Sequence, residues 1–150
     1  MKRKMEPGKD YIGAGCGVFI VNDKSETLFL LRNNNCRNEA GKWNKVGGGI
    51  EFGEKVEDAI RRETLEEVGL ELADIEFLSF TDHILPDENQ HWIGFNYMAM
   101  VSSGEVENRE PHKHDEVKWF KFDEIPDCLA MPTEEALPLM IKRYKEKYSK

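Results

Sequence analysis

Three carboxylates, Glu63, Glu66 and Glu67, crowd one stretch of the chain directly downstream of the glycine run Gly47-Gly48-Gly49. Placed at about 100° per residue, Val56, Ala59 and Ile60 share one helix face. The next residues on that face are Glu63 and Glu67, with Glu66 at its edge. Glu63 and Glu67 stand one helical turn apart and repel each other by a few tenths of a kcal/mol on an isolated helix. Burying such a pair without a partner costs far more. A face that changes from apolar to clustered carboxylate therefore calls for a positive charge, and hard oxygen donors suit Mg²⁺ or Mn²⁺. The competing reading is a solvated face, with Arg61 and Arg62 neutralising part of the acid.

The elements that must position these groups are a glycine turn and the helix that follows it, in the run GGIEFGEKVEDAIRRETLEEVGL. This run resembles the signature of the Nudix hydrolases, G-x(5)-E-x(7)-R-E-U-x-E-E-x-G-U, where U is a bulky apolar residue. Gly48, Glu54, Arg62-Glu63, Glu66-Glu67, Gly69 and Leu70 meet its fixed positions, and Thr64 stands where an aliphatic residue is more usual. The approach departs further. Many members read W-x-L-P-G-G, whereas this chain has Trp43-Asn44-Lys45-Val46-Gly47-Gly48.

The resemblance implies an α/β fold, a mixed β-sheet sandwiched between helices in a single domain over residues 1–150. It also implies Mg²⁺ (or Mn²⁺) held by Glu63, Glu66 and Glu67 together with the backbone carbonyl of Gly47. Glu63 or Glu67 would orient or deprotonate the attacking water, while Arg62 pins the carboxylates through its donor fork. Glu54, near the helix start, has a structural role against the helix dipole. Members often bring a further acid from outside the signature. Glu110, Asp115 and Glu116 are the candidates, and Glu116 is favoured because it directly precedes the strand-like run from Val117.

Strand and helix signals surround the signature. Ala14–Val21 and Thr27–Leu31 read as neighbouring strands around an Asn22-Asp23 turn. Trp43–Val46 is a short strand, and the signature helix spans about Glu54–Val68 with Gly69 as its stop. Asp74–Leu85 and His91–Val101 are longer strands joined by Pro86-Asp87-Glu88-Asn89, and Val117–Phe122 is another. Asp123–Pro126 is a turn or helix start. Thr133 caps a last helix through about Tyr148, with Pro138 at a kink or marking a later start.

Composition sets the limits. A net charge of −8 over 150 residues argues against a nucleic-acid polymer as partner. An acidic protein still accepts a small phosphorylated ligand if metals bridge the like charges. Cys16, Cys36 and Cys128 lack metal-site spacing and read as reduced thiols of a cytoplasmic protein. Residues 1–10 are basic without an apolar run behind them, a flexible leader rather than a signal peptide, and no apolar run approaches membrane-spanning length. Oligomeric state has no signal in the sequence.

Phe80 and Trp92, on strand-like segments, are candidates for stacking on a nucleobase. His112 and His114 lie in a charged stretch and are expected to face solvent. The resemblance thus points to a Mg²⁺-dependent pyrophosphohydrolase of small nucleotides. The compact length favours nucleoside triphosphates cleaved to monophosphate and pyrophosphate, as in MutT-type enzymes. Pro86, sixteen residues after Leu70, points instead to ADP-ribose or a nucleotide sugar. A non-catalytic nucleotide-binding module is the alternative outside enzymes.

Overall fold

Alternation along the first strand decides the architecture. In β1 (Gly13–Val21), Cys16, Val18 and Ile20 point one way and Phe19 and Val21 the other, and all are buried. Successive strand residues face opposite sides of a sheet, so a strand apolar on both faces must be covered on both. The computed structural model, which describes residues 2–36 and 39–148, shows that arrangement. Cys16, Val18 and Ile20 join Leu28, Leu30 and Val46 under Ala59, Ile60 and Val68 of α1 (Val56–Val68). Phe19, Val21 and Phe29 pack with Met98 under Ala136, Met140 and Tyr144 of α2 (Met131–Tyr148).

The seven strands form one mixed sheet. β1 runs parallel to β6 (Gln90–Ser103), in register from Gly13 opposite Trp92 to Val21 opposite Met100. Its other edge is shared between β4 (Val46–Gly49), beside Gly15–Val18, and β2 (Glu26–Arg32), which it meets at Val21 and Thr27. β3 (Trp43–Asn44) and β7 (His114–Lys121) lie antiparallel to β2, and β5 (Glu71–Leu85) antiparallel to β6. The expected single strand at Trp43–Val46 is thus two strands that part at Lys45. Pro86–Glu88 forms a short 3-10 turn between β5 and β6.

Two expectations about chain ends change. Thr133 is not a cap: α2 begins at Met131, whose N–H donates to Glu39 Oε1 at 2.9 Å. Thr133 is fully buried and turns inward, and the helix runs through Pro138. The expected flexible leader is folded back on the domain. Arg3 pairs with Asp10, and buried Gly8 lies against the Trp92 indole while its carbonyl accepts from His91 N–H at 2.8 Å. Among the described residues, no helix is long and apolar enough to cross a membrane.

Gly69 ends α1 at φ 74°, and its N–H donates to the carbonyls of Thr64 and Leu65. An L side chain is strained in this left-handed region, and a Cβ there would come within 2.8 Å of the Arg109 guanidinium. Gly69→Ala is therefore expected to lower stability by about 1–2 kcal/mol. That corresponds to a fall of roughly 2–8 °C in thermal midpoint for a domain of this size. A midpoint within a degree of wild type would show that the cap is not under strain.

Candidate active site

The signature helix presents its carboxylates unequally. Glu67 is buried, Glu63 is nearly so, and the Glu66 side chain is 53% exposed. Arg62 organises them. Its Nε and Nη2 grip both oxygens of Glu54 at 2.8 and 2.9 Å, and Nη1 reaches Glu63 Oε1 at 2.9 Å and Glu66 Oε2 at 3.3 Å. Nη2 also donates to the Gly49 carbonyl at 3.1 Å, so one guanidinium ties the glycine turn to the helix. Glu54 lies ahead of the helix rather than in its first turn. The Arg62 hydrogen bonds, with one from Glu51 N–H, hold its carboxyl down at about 2. Gly48 is required beside this fork, because a Cβ there would lie 2.4 Å from Glu63 Oε1.

Glu67 has no such cation. Its Oε1 accepts weakly from Gly47 N–H at 3.4 Å, and its Oε2 stands 3.8 Å from His114 Nε2. Burial, reinforced by the neighbouring Glu63 and Glu110 carboxylates, pushes the Glu67 carboxyl well above its ordinary range. Burial raises Glu63 as well, against the pull of Arg62. His114 is pushed down to about 4 by burial, with Arg32, Lys113 and His112 adding to it, so the imidazole is neutral and its contact with Glu67 is no ion pair. Its Nδ1 is buried without a hydrogen-bond partner.

Donor atoms of Glu67, Glu110 and His114 lie within 4.8 Å of one another. Two carboxylates and an imidazole nitrogen at this spacing fit a divalent ion, and the nitrogen suits Mn²⁺ better than an all-oxygen set would. These groups line a cavity of about 410 Å³ with Glu63, Gly47, Gly48 and Gly49. A second cavity of about 230 Å³ adjoins it through Arg32, Asn44, Lys45 and the same glycines, and is bounded by His83, Trp92 and Asn96.

Several expected site residues lie elsewhere. Glu116 is exposed and pairs with Leu31 on β2. It shares a sheet face with Phe120, on the α2 side, so it points away from the α1 carboxylates. A register shift between Leu31 and Arg32 sets His114 opposite Arg32, and His114 is buried rather than solvent-facing. Phe80 is 58% exposed and pairs with Phe95 on the α1 side of the sheet, whereas Trp92 lines the second cavity from the α2 side. Glu66 lines neither cavity, and Gly47 turns its N–H, not its carbonyl, to Glu67.

Glu110 reaches the site through the end of α1. Glu107 N–H and Arg109 N–H donate to the carbonyls of Val68 and Glu67, each at 3.0 Å, and Arg109 Nη1 to that of Leu65. No sequence signal separates Glu110 from its acidic neighbours. Lys45 did carry a signal, since the related pattern has leucine there.

The NUDIX domain profile matches residues 12–142, and the chain belongs to the Nudix family. Curated relatives include an oxidized purine nucleoside triphosphate hydrolase of Danio rerio, 37% identical over 91 residues. That match takes in 58% of this chain and 54% of the relative. Another is the NAD-capped RNA hydrolase NudC of Pasteurella multocida, 31% identical over 72% of this chain and 39% of the relative. The chain thus spans about half or less of the length of these curated relatives. The crystal structure of a MutT NUDIX hydrolase from Burkholderia pseudomallei superposes with a TM-score of 0.79 at 36% identity. It covers 85% of this chain and 96% of that one.

If Glu110 is a ligand and Glu116 is not, calorimetric titration with Mn²⁺ separates them. Glu110→Gln is expected to weaken binding by about tenfold or more, and Glu116→Gln to leave it unchanged. Wild-type protein at a hundredfold excess over the dissociation constant gains about 2.7 kcal/mol of stability. Equal affinity in Glu110→Gln and wild type would remove Glu110 from the site.

Proposed function

We propose that the protein is a pyrophosphohydrolase that cleaves a nucleoside triphosphate to the monophosphate and pyrophosphate, using Mg²⁺ or Mn²⁺. The observation that carries this is the pair of adjoining cavities, one walled by Glu63, Glu67, Glu110 and His114, the other bounded by Trp92 and amide side chains. A phosphate chain fits the first and a nucleoside the second, with the glycine turn between them. The Danio rerio relative, named for oxidized purine nucleoside triphosphates, supports the same substrate class. Pro86, the residue that hinted at ADP-ribose, lies in the β5–β6 turn and lines neither cavity. The net charge of −8 weighs against a long polynucleotide partner, although relatives named for capped RNA keep an RNA end among the substrates to be assayed.

Glu67, Glu110 and His114 would hold the divalent ion, whose charge offsets that of the phosphate oxygens and of the buried acids. Glu63 is placed to accept the proton of the attacking water. Arg62 fixes one of its oxygens, and burial raises its basicity. Arg62 and Glu54 keep that carboxylate in one position against the glycine turn.

This division of labour predicts two kinds of loss. Glu67→Gln is expected to weaken Mn²⁺ binding and lower turnover together. Glu63→Gln is expected to lower kcat by about 10²–10⁴ with Mn²⁺ affinity within a few-fold of wild type. Hydrolysis in ¹⁸O-labelled water, with mass analysis of both products, tests the bond cleaved. Primary release of orthophosphate and nucleoside diphosphate would refute the proposed cleavage. Inactivity on every triphosphate with turnover of ADP-ribose would transfer the assignment to that class.

A further inference from the structure

Lys45 is a buried lysine between β3 and β4, and it lines both cavities. Its surroundings are built around it. A Cβ on Gly17 would lie 2.6 Å from its Cε, so the glycine is what admits the side chain. Its ammonium stands 5.2 Å over the Phe19 ring and 3.4 Å from Thr133 Oγ1. Among the described residues no carboxylate forms a salt bridge with it. Burial pushes its pKa down to about 7; in the protonated form it has three hydrogens and no acceptor, so two remain after Thr133.

The neighbouring hydrogen bonds fix which groups are left. Thr133 has a single hydroxyl hydrogen, which it donates to Asn44 Oδ1, so it can only accept from Lys45. Asn44 Oδ1 also accepts from Lys45 N–H at 3.0 Å, which leaves the Asn44 amide nitrogen, another donor. One end of the cavity therefore carries two adjacent donors. Beside them, Gly15 and Gly94 face each other in register and leave a stretch of sheet without side chains, with Trp92 at its other end. A planar ring laid on that stretch would turn an edge toward Lys45 and Asn44.

We propose that Lys45 is a specificity-determining residue that donates a hydrogen bond to an oxo group of a purine base, discriminating against bases that present an amino group there. This rests on the second cavity taking the nucleoside. An oxo acceptor would hold Lys45 in its protonated, donor-only form, whereas a 6-amino group would set a donor against the Asn44 amide and the ammonium, and sites built on a hydrogen bond reject the unmatched analogue strongly. A leucine, as in the related pattern, would pack at this position without reading the base.

Inosine and adenosine triphosphates differ at the 6-position and in the ring nitrogen beside it, so they form the test pair. Wild type is expected to favour ITP over ATP in kcat/KM by about 100-fold or more, and Lys45→Met to reduce that ratio to a few-fold. Thermal unfolding checks the fold of Lys45→Met, which is expected to be at least as stable as wild type because a buried charge is replaced by an apolar side chain of similar length. 8-oxo-dATP and dATP both keep the 6-amino group and differ at C8, so a Lys45-dependent preference within that pair but not between ITP and ATP would place the contact at C8 and overturn the inference. An ITP to ATP ratio unchanged in Lys45→Met, or no preference for ITP over ATP in wild type, would likewise overturn the inference. If no triphosphate is hydrolysed, the functional reading fails by itself, and calorimetric binding of IMP against AMP decides the point. A Lys45-dependent preference for IMP upholds the inference, and equal binding overturns it.

Discussion

The five-point grip of Arg62 is the constraint on which the rest of the site depends. A guanidinium presents its donors in one rigid plane. Here that plane spans two oxygens of Glu54, one each of Glu63 and Glu66, and the carbonyl of Gly49. Lysine offers a point charge and could not bridge a turn and a helix in this way. Because β4 is paired to β1 and α1 is packed on the other side, the fork sets the depth at which the helix carboxylates face the glycine turn. It also divides the acids into a compensated set, Glu54, Glu63 and Glu66, and Glu67, which it does not reach.

Two buried titratable groups without a salt-bridge partner of fixed charge, each pushed by burial toward its neutral form, sit on either side of one short strand. Glu67 lies toward α1, and Lys45, at the entrance to β4, lies toward α2. Each is a desolvation cost that a well-packed apolar residue would avoid. The fold tolerates both because the sandwich on each side supplies a large apolar core, from Ile20, Leu28 and Ile60 on one face to Phe19, Phe29 and Met140 on the other. Stability is thus held in the two core layers, and the electrostatic liabilities are concentrated where the cavities meet.

Much of this was legible in the residues themselves. The order of strand and helix signals and the resemblance both point to a sheet covered on two faces, and the signature run placed α1 and its Gly69 stop to within two residues. Its weaker predictions share a physical cause. Glu116 keeps the regular pairing with Leu31 and faces the α2 side, whereas the register shift beyond it turns His114 toward the acidic cavity. Phe80 and Trp92 look equivalent in sequence, yet they stand on opposite faces of a β5–β6 pair that is interrupted by several register shifts. Facing is set by bulges and long-range pairing, and neither is written in local periodicity. Thr133 illustrates the same limit: its type suits a cap, but the helix takes its first-turn partner from Glu39, remote in sequence.

The segment that carries Glu110 has a second occupation. Helix α1 ends with carbonyls that have no partner inside the helix, and the N–H groups of Glu107 and Arg109 supply donors to those of Val68 and Glu67, while the Arg109 side chain adds a second donor to that of Leu65. Delivering Glu110 to the cavity and closing off the helix are therefore a single act of docking. The segment cannot swing outward without also exposing the last turn of α1, the turn on which Glu67 is mounted. Local opening there would be cooperative, so amide exchange at residues 107 and 109 should follow that of the helix end rather than that of an independent loop. In kinetic terms, the acid site would assemble and come apart as one unit with its own helix terminus.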